Sequence, residues 1–341
     1  MKVGLLLPQG YFNEFESWQP VDAWNRILQV ARLGERLGFD SLWNGEHVLA
    51  KWNPEAIEFD CVTIMTAVAA VVPRVELGFT VINSTFRNPA MTAKTAATLD
   101  TIAGGRLVLG LGAGFKVSEA EAFGHPFPGL KERLAILSEH FEIISRMTRR
   151  DEPPFTFEGQ HARVESVVNN PRTGGGDHIK LLIGGHGRNV TFRLAARYCD
   201  EVNIDAAPDE MADAMAAVRG RCEEIDRDPA TLLMSTGTNP AWPYPGLKVI
   251  GNQRMMRQED VPGIMSADFS KLTTRAEELG HWVELGLDRV VCGVPGLVDT
   301  DEGIYELIED CRTAGIELAP AAGSASAGPT SGPPAAGAIE R

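Results

Sequence analysis

The chain has 341 residues, 44% of them hydrophobic, and a formal net charge of −14. That is ample for a large buried core, in one α/β barrel or two average domains. It argues against nucleic acid as a partner, because a phosphate-backbone surface needs clustered Lys and Arg, and no window approaches the length of a membrane span. The N-terminus enters a strand at once and lacks the apolar core and cleavage site of a signal peptide. Cysteines at 61, 199, 222, 292 and 311 stand far apart with no CxxC spacing, so they read as reduced, mostly buried thiols of a cytoplasmic protein.

A first strand is expected over residues 2–7, and the loop after it carries Tyr11, Phe12, Phe15 and Trp18, enough aromatic surface to cover a pocket. Ile27, Val30, Ala31, Gly34 and Leu37 recur at helical spacing and stop at Gly38. A second strand at 41–44 exits into Gly45, Glu46 and His47, followed by a loop with Trp52 and a helix over 60–71. Val75, Leu77, Phe79 and Val81 alternate as one strand, ending at Asn83, Ser84 and Thr85. Asn88 and Pro89 are an N-cap and a first-turn proline. Gly104 and Gly105 stop that helix, and residues 107–111 form the fourth strand. So short a crossover makes the third and fourth strands parallel neighbours.

Beyond the Gly112–Gly114 loop, Ser118 and Glu121 have capping-box spacing, which predicts a helix start there. A longer helix over 129–147 and a hairpin insertion over 151–166 follow. Strand five, 180–183, opens into Gly184, Gly185, His186 and Gly187 and a helix over 189–198. Strand six is 201–203 with a helix over 209–225, and strand seven is 232–236. The irregular stretch at 237–267 is longer than an ordinary connection and reads as a functional lid. A helix over 269–285, strand eight at 289–292 and a helix over 301–314 complete the pattern. The Ala-, Gly-, Pro- and Ser-rich tail at 319–341 is expected to be disordered, which leaves 1–318 as the barrel domain.

Alternating strands and helices in this number describe a (β/α)₈ TIM barrel, and the first turn has none of the GxGxxG of a doubly wound sheet. In a barrel the active site lies past the strand ends, which nominates Glu46 and His47, Asn83 to Thr85, Ala113 to Lys116, and Gly184 to Arg188. His47 has the chemistry for proton transfer near neutral pH; a structural, hydrogen-bonded histidine is the alternative. Gly184 to Gly187 before a helix suit a phosphate, with His186 or Arg188 pairing an oxygen; a plain βα turn is the alternative. No HxH, HExxH or Asp/His cluster has ligand spacing, so no metal site is expected.

Three blocks carry a resemblance. Arg87-Asn88-Pro89-Ala90, Leu99-Asp100, Gly104-Gly105-Arg106 and Leu109 to Gly114 resemble the bacterial luciferase-like monooxygenase family. Leu182 to Gly187 with Leu194 to Asp200 resemble its phosphate-loop block. Phe39 to Trp43 with Glu46-His47 are similar to the branch that uses the deazaflavin coenzyme F420. The resemblance implies a barrel that binds an isoalloxazine-type ring at its strand ends. His47 would lie near the reactive carbon, with Glu46 orienting it or touching the cofactor. Thr80-Val81 match a non-prolyl cis peptide in a bulge behind the ring, and Asn83 matches a contact to the ring's polar edge. Ala113 and Gly114 would floor the ring, and Gly184, Gly185, His186 and Gly187 match the phosphate cradle. Two departures stand out. Phe115 occupies the place of a glutamate used by sugar-phosphate dehydrogenases, which weighs against that substrate, and His186 replaces a glycine.

The reading that follows is an F420-dependent oxidoreductase passing a hydride between the deazaflavin and a small organic substrate. An FMN-dependent two-component monooxygenase and a non-catalytic binding barrel are its rivals, the last opposed by the intact glycine loops and His47. Assembly is not readable from the chain itself; the resemblance adds that relatives are commonly dimers, which leaves a homodimer open.

Overall fold

The computed structural model describes residues 1–206, 208–238 and 274–319. Eight parallel strand positions close on themselves: β1 (Lys2–Leu6), β2 (Ser41–Asn44), β3 (Glu76–Phe79) continued by the short β4 (Ile82–Asn83), β5 (Leu107–Gly112), β8 (Lys180–Gly184), β9 (Glu201–Asn203), β10 (Leu233–Gly237) and β11 (Arg289–Cys292). β1 pairs with both β2 and β11, and pairing of β3 with β5 shuts the ring. The antiparallel hairpin β6 (Phe155–Glu158) and β7 (Arg163–Val167) stands apart from it. This is the expected TIM barrel.

Strand residues alternate between two apolar layers, because successive side chains point to opposite faces. Leu42, Leu107, Leu109, Leu181, Ile183 and Val290 belong to the large core shared with the helices. Trp43, Val108, Leu182 and Val291 form a separate cluster inside the barrel. Trp43 is the largest side chain of that cluster and is fully buried. Its Nε1 donates to Ser41 Oγ at 2.7 Å, and a Cβ on neighbouring Gly78 would lie 2.2 Å from its ring, so only glycine fits beside it. Below Trp43 the barrel is closed by Arg289, which is buried and ion-paired with Asp40, Glu76 and Glu201. A charge there is tolerated only because its partners surround it.

The helices follow the predicted order. α1 (Pro20–Leu37) ends at Gly38 with φ 93°, and α2 (Cys61–Ala69) is capped by Asp60. α3 (Pro89–Ala103) starts at the Asn88 cap, whose side chain accepts from Ala90 N and Met91 N, and stops at Gly104. α4 (Val117–Ala122) departs from expectation: its N-cap is Lys116 with no side-chain cap bond, so Ser118 and Glu121 do not form a capping box. Then come α5 (Leu130–Met147), α6 (Thr191–Tyr198), α7 (Met211–Glu223), α8 (Arg275–Leu285) and α9 (Glu302–Thr313). The capping box among the described residues is at α8, between Thr274 and Glu277.

A second difference lies in the third strand. Its alternation reads as one run, yet the chain breaks between Phe79 and Ile82 at a cis Thr80–Val81 peptide. All five cysteines are buried and free. Among the described residues no helix is long and apolar enough to cross a membrane. The lid expected at 237–267 and the tail at 319–341 lie outside the described residues, save for Gly237, Thr238 and Ala319.

Candidate active site

The exit of β2 is tied to the bulge beside it. Thr80 N donates to Asn44 O at 2.7 Å, and Glu46 N donates to Val81 O at 3.2 Å. The buried Glu46 side chain faces the same way. One carboxylate oxygen accepts the Asn83 backbone N–H at 2.7 Å, and the other accepts both Nε and Nη2 of Arg87, at 2.6 and 2.5 Å. Burial pushes the Glu46 carboxyl up from its usual range, while Arg87 and the Asn83 N–H pull it down. Arg87 also reaches Asp60 at 3.1 Å. Glu46 thus braces the β4 turn, and its carboxylate is committed to Arg87 and Asn83 rather than to the adjacent His47.

The carboxylate that holds His47 is Glu119, on α4. Its oxygens lie 3.0 and 3.3 Å from His47 Nδ1, and it is almost fully buried. An ionised carboxylate only accepts, so Nδ1 carries the hydrogen and Nε2 the lone pair. Burial lowers the proton affinity of His47; Glu119 opposes this, and the nearby Lys116 and Lys51 reinforce it. The imidazole is therefore neutral at neutral pH with a basic nitrogen available. Tyr11 stacks on it with ring centroids 3.4 Å apart, and Phe115 meets it edge-on at 5.8 Å. Lys116 Nζ donates to Tyr11 Oη at 3.2 Å. Phe12 and the half-exposed Trp52 extend this aromatic rim, with Lys51 close to Tyr11, Phe12 and Trp52. Phe15 does not join it, because it is fully buried with Trp18 and Phe59 behind α1.

The glycines of neighbouring strand ends make room for the bulge itself. A Cβ on Gly112 would lie 2.6 Å from a Val81 methyl, and one on Gly184 would lie 2.9 Å from the other. A Cβ on Gly114 would strike the Asn83 amide at 2.4 Å. They therefore do not clear space directly for a flat ring; they seat Val81 and Asn83, which would meet it. Ala113 sits between them, partly buried against the core. Across the mouth, Gly185 has φ 134° and gives its N–H to Asn203 O, while α6 begins without a side-chain cap. His186 is half-exposed with Asp205 at 3.9 Å, which raises its proton affinity.

These features fit a flat, polar-edged ring with an anionic tail. Val81 offers an apolar support between two glycines, Asn83 a side-chain amide, and the uncapped start of α6 a positive end for a phosphate. Among the described residues no group of three or more His, Cys, Asp or Glu could hold a metal. Glu119 is the residue that sequence reading passed over as part of a helix start. Its only signal is position, just past the fourth-strand exit and on the inward side of a short helix.

Barrel, bulge and the His47–Glu119 pair meet at the strand ends, where a barrel enzyme carries its active site. Comparison with known proteins agrees: residues 1–242 match the model of the luciferase-like monooxygenases, and the chain belongs to that family. It is 34% identical over 315 residues to an F420-dependent glucose-6-phosphate dehydrogenase of Amycolatopsis mediterranei, covering 89% of this chain and 88% of the relative. A 4-hydroxyprotoasukamycin monooxygenase of Streptomyces nodosus is 32% identical over 177 residues, covering 51% of this chain and 45% of that protein. An F420-dependent secondary alcohol dehydrogenase, solved with an F420–acetone adduct, shares the fold at a TM-score of 0.71 and 21% identity. That match covers 92% of this chain and 98% of the other.

Proposed function

We propose that this chain is a coenzyme F420-dependent oxidoreductase that moves a hydride between the deazaflavin and a small organic substrate. The observation that carries the reading is the His47–Glu119 pair at the barrel mouth, 3.0 Å apart, beside the bulge seated by Gly112 and Gly184. It is supported by similarity to the F420-dependent relative across most of both chains.

When bound, the deazaflavin supplies a hydride donor or acceptor at a ring carbon. His47 Nε2 takes the hydroxyl proton of a substrate alcohol as hydride leaves its carbon, or returns it to the carbonyl oxygen in the reverse direction. Glu119 holds the Nδ1 hydrogen and stabilises the imidazolium that forms. Glu46 and Arg87 fix the Asn83 turn. Val81 would support the ring, Ala113 and Gly114 would line its floor beside Asn83, and Gly184 to Gly187 with the start of α6 would hold the phosphate. Tyr11, Phe115 and Trp52 give the mouth an aromatic wall, which favours an apolar substrate body over a sugar phosphate. The five buried, unpaired cysteines suit a reducing, cytoplasmic setting.

The test is reduction of F420 by the purified protein with a panel of aliphatic and aromatic alcohols, glucose 6-phosphate included. Turnover with at least one apolar alcohol, lost in His47→Ala, is expected. Oxygenation with reduced FMN and no turnover with F420 would favour the second reading, a two-component monooxygenase, which the Streptomyces relative motivates.

A further inference from the structure

Outside the barrel mouth the structure holds a cavity of about 630 Å³ that the proposed reaction does not use. It lies behind the Asn83 turn, between the starts of α3 and α5 and the β6–β7 hairpin, within the usual volume range of small-molecule sites. Two polar side chains in its wall are more than nine-tenths buried and idle. Ser84 is 3% exposed, and its Oγ, sealed from water, has no hydrogen-bond partner among the described residues. His140 is 5% exposed and has no hydrogen-bond partner among the described residues. Buried polar groups are nearly always paired; the Ser84 hydroxyl is closed off from the cavity it borders, so His140, which lines the cavity without a hydrogen-bond partner among the described residues, is the group left for a ligand to bond.

The rest of the wall says what kind. Arg87 and Arg163 border the cavity against a single carboxylate, Glu132. Arg163 is mostly exposed and makes only loose ion pairs with Glu158 and Glu165, at 3.3 and 3.5 Å, so its guanidinium can turn to an anion. α5 begins there at Gly129 with no side-chain cap, which adds a positive helix end. Phe127, held by Arg133 at 4.1 Å from its ring centroid, and Ile136 supply the apolar surface.

We propose that this cavity is a second small-molecule site, for an anion with an apolar body such as an aromatic carboxylate. Its acid group is received by Arg163 and His140 and its ring by Phe127 and Ile136. Arg87 belongs to both sites, since it lines the cavity and also holds Glu46.

The test needs no cofactor, so its failure is distinct from failure of the proposed reaction. 4-Fluorobenzoate is titrated into the full-length protein and followed by fluorine NMR, with inorganic phosphate as the anion lacking an apolar body. Saturable binding is expected, tighter than that of phosphate and weakened about tenfold by Arg163→Glu. His140→Phe should weaken it too, with Lys116→Ala at the barrel mouth having no effect. Arg163 is exposed, so its variant folds; the His140 variant is accepted only with an unchanged thermal melt. Absence of saturable binding, indifference to Arg163→Glu, or loss in Lys116→Ala would each overturn the assignment, the last by moving the anion to the active site.

Discussion

His47 Nδ1 and Glu119 Oε1 lie 3.0 Å apart although 72 residues separate them, one at the exit of the second strand and the other on the short helix after the fourth barrel position. Replacing Glu119 by Gln keeps a hydrogen-bonding side chain but removes the charge that opposes burial. The proton affinity of His47 then falls further, so the acid limb of the kcat/KM profile moves to lower pH. The rate should drop roughly 10- to 100-fold, less than the 10²–10⁴ typical of losing a general acid–base group outright. His47→Ala should show that larger loss. An unshifted profile in Glu119→Gln would show that the carboxylate does not tune the imidazole.

Arg87 is the partner that makes a buried Glu46 affordable. Arg87→Met leaves that carboxylate unpaired, which typically costs about 3–5 kcal/mol. Adding Glu46→Gln should recover much of the loss, and a double-mutant cycle by urea unfolding measures the coupling. Additive losses would mean the two side chains act independently.

Gly112→Ala tests the seating of the bulge. The new methyl meets Val81 at 2.6 Å, so cofactor affinity should fall about tenfold or more for a displacement of this size. Val81→Ala in the same chain restores space and part of the affinity. Equal affinity in wild type and Gly112→Ala would remove Val81 from the cofactor wall.

Glu58 provides a pH test of stability. Burial first, then Glu14, lifts its pKa to about 9, although Gln9 Nε2 donates to it at 2.6 Å. The folded state thus keeps a proton that the unfolded state loses near 4.5. Stability from this group is fully present below that pH and is lost as pH rises towards 9. Glu58→Gln removes the dependence, so it should gain on the order of 2 kcal/mol relative to wild type between pH 5 and pH 8. Parallel unfolding curves for the two proteins across that range would contradict it.

The barrel was legible because its signals are local. Alternation marks the strands, Asn88-Pro89 and Gly104 bracket α3, and a residue past a strand end in a barrel points to one mouth. Ser118 and Glu121 show the limit: their spacing fits a cap, but the helix begins one residue before Ser118 and leaves Glu119 turned towards His47. Spacing cannot report a partner 72 residues away. Gly114 reads as ring floor and Gly184 as phosphate cradle, yet what a Cβ at 112, 114 or 184 would meet, Val81 or Asn83, depends on the break in the third strand. Glu46 was placed at the mouth, but only the fold shows its carboxylate held by Arg87 and the Asn83 N–H.

The most direct measurement is equilibrium titration of the purified protein with coenzyme F420 and, separately, with FMN, followed by cofactor fluorescence. Saturable F420 binding with a dissociation constant on the order of micromolar, weakened in Gly112→Ala, and no comparable FMN binding is the predicted result. Tight FMN binding with no affinity for F420 would contradict it.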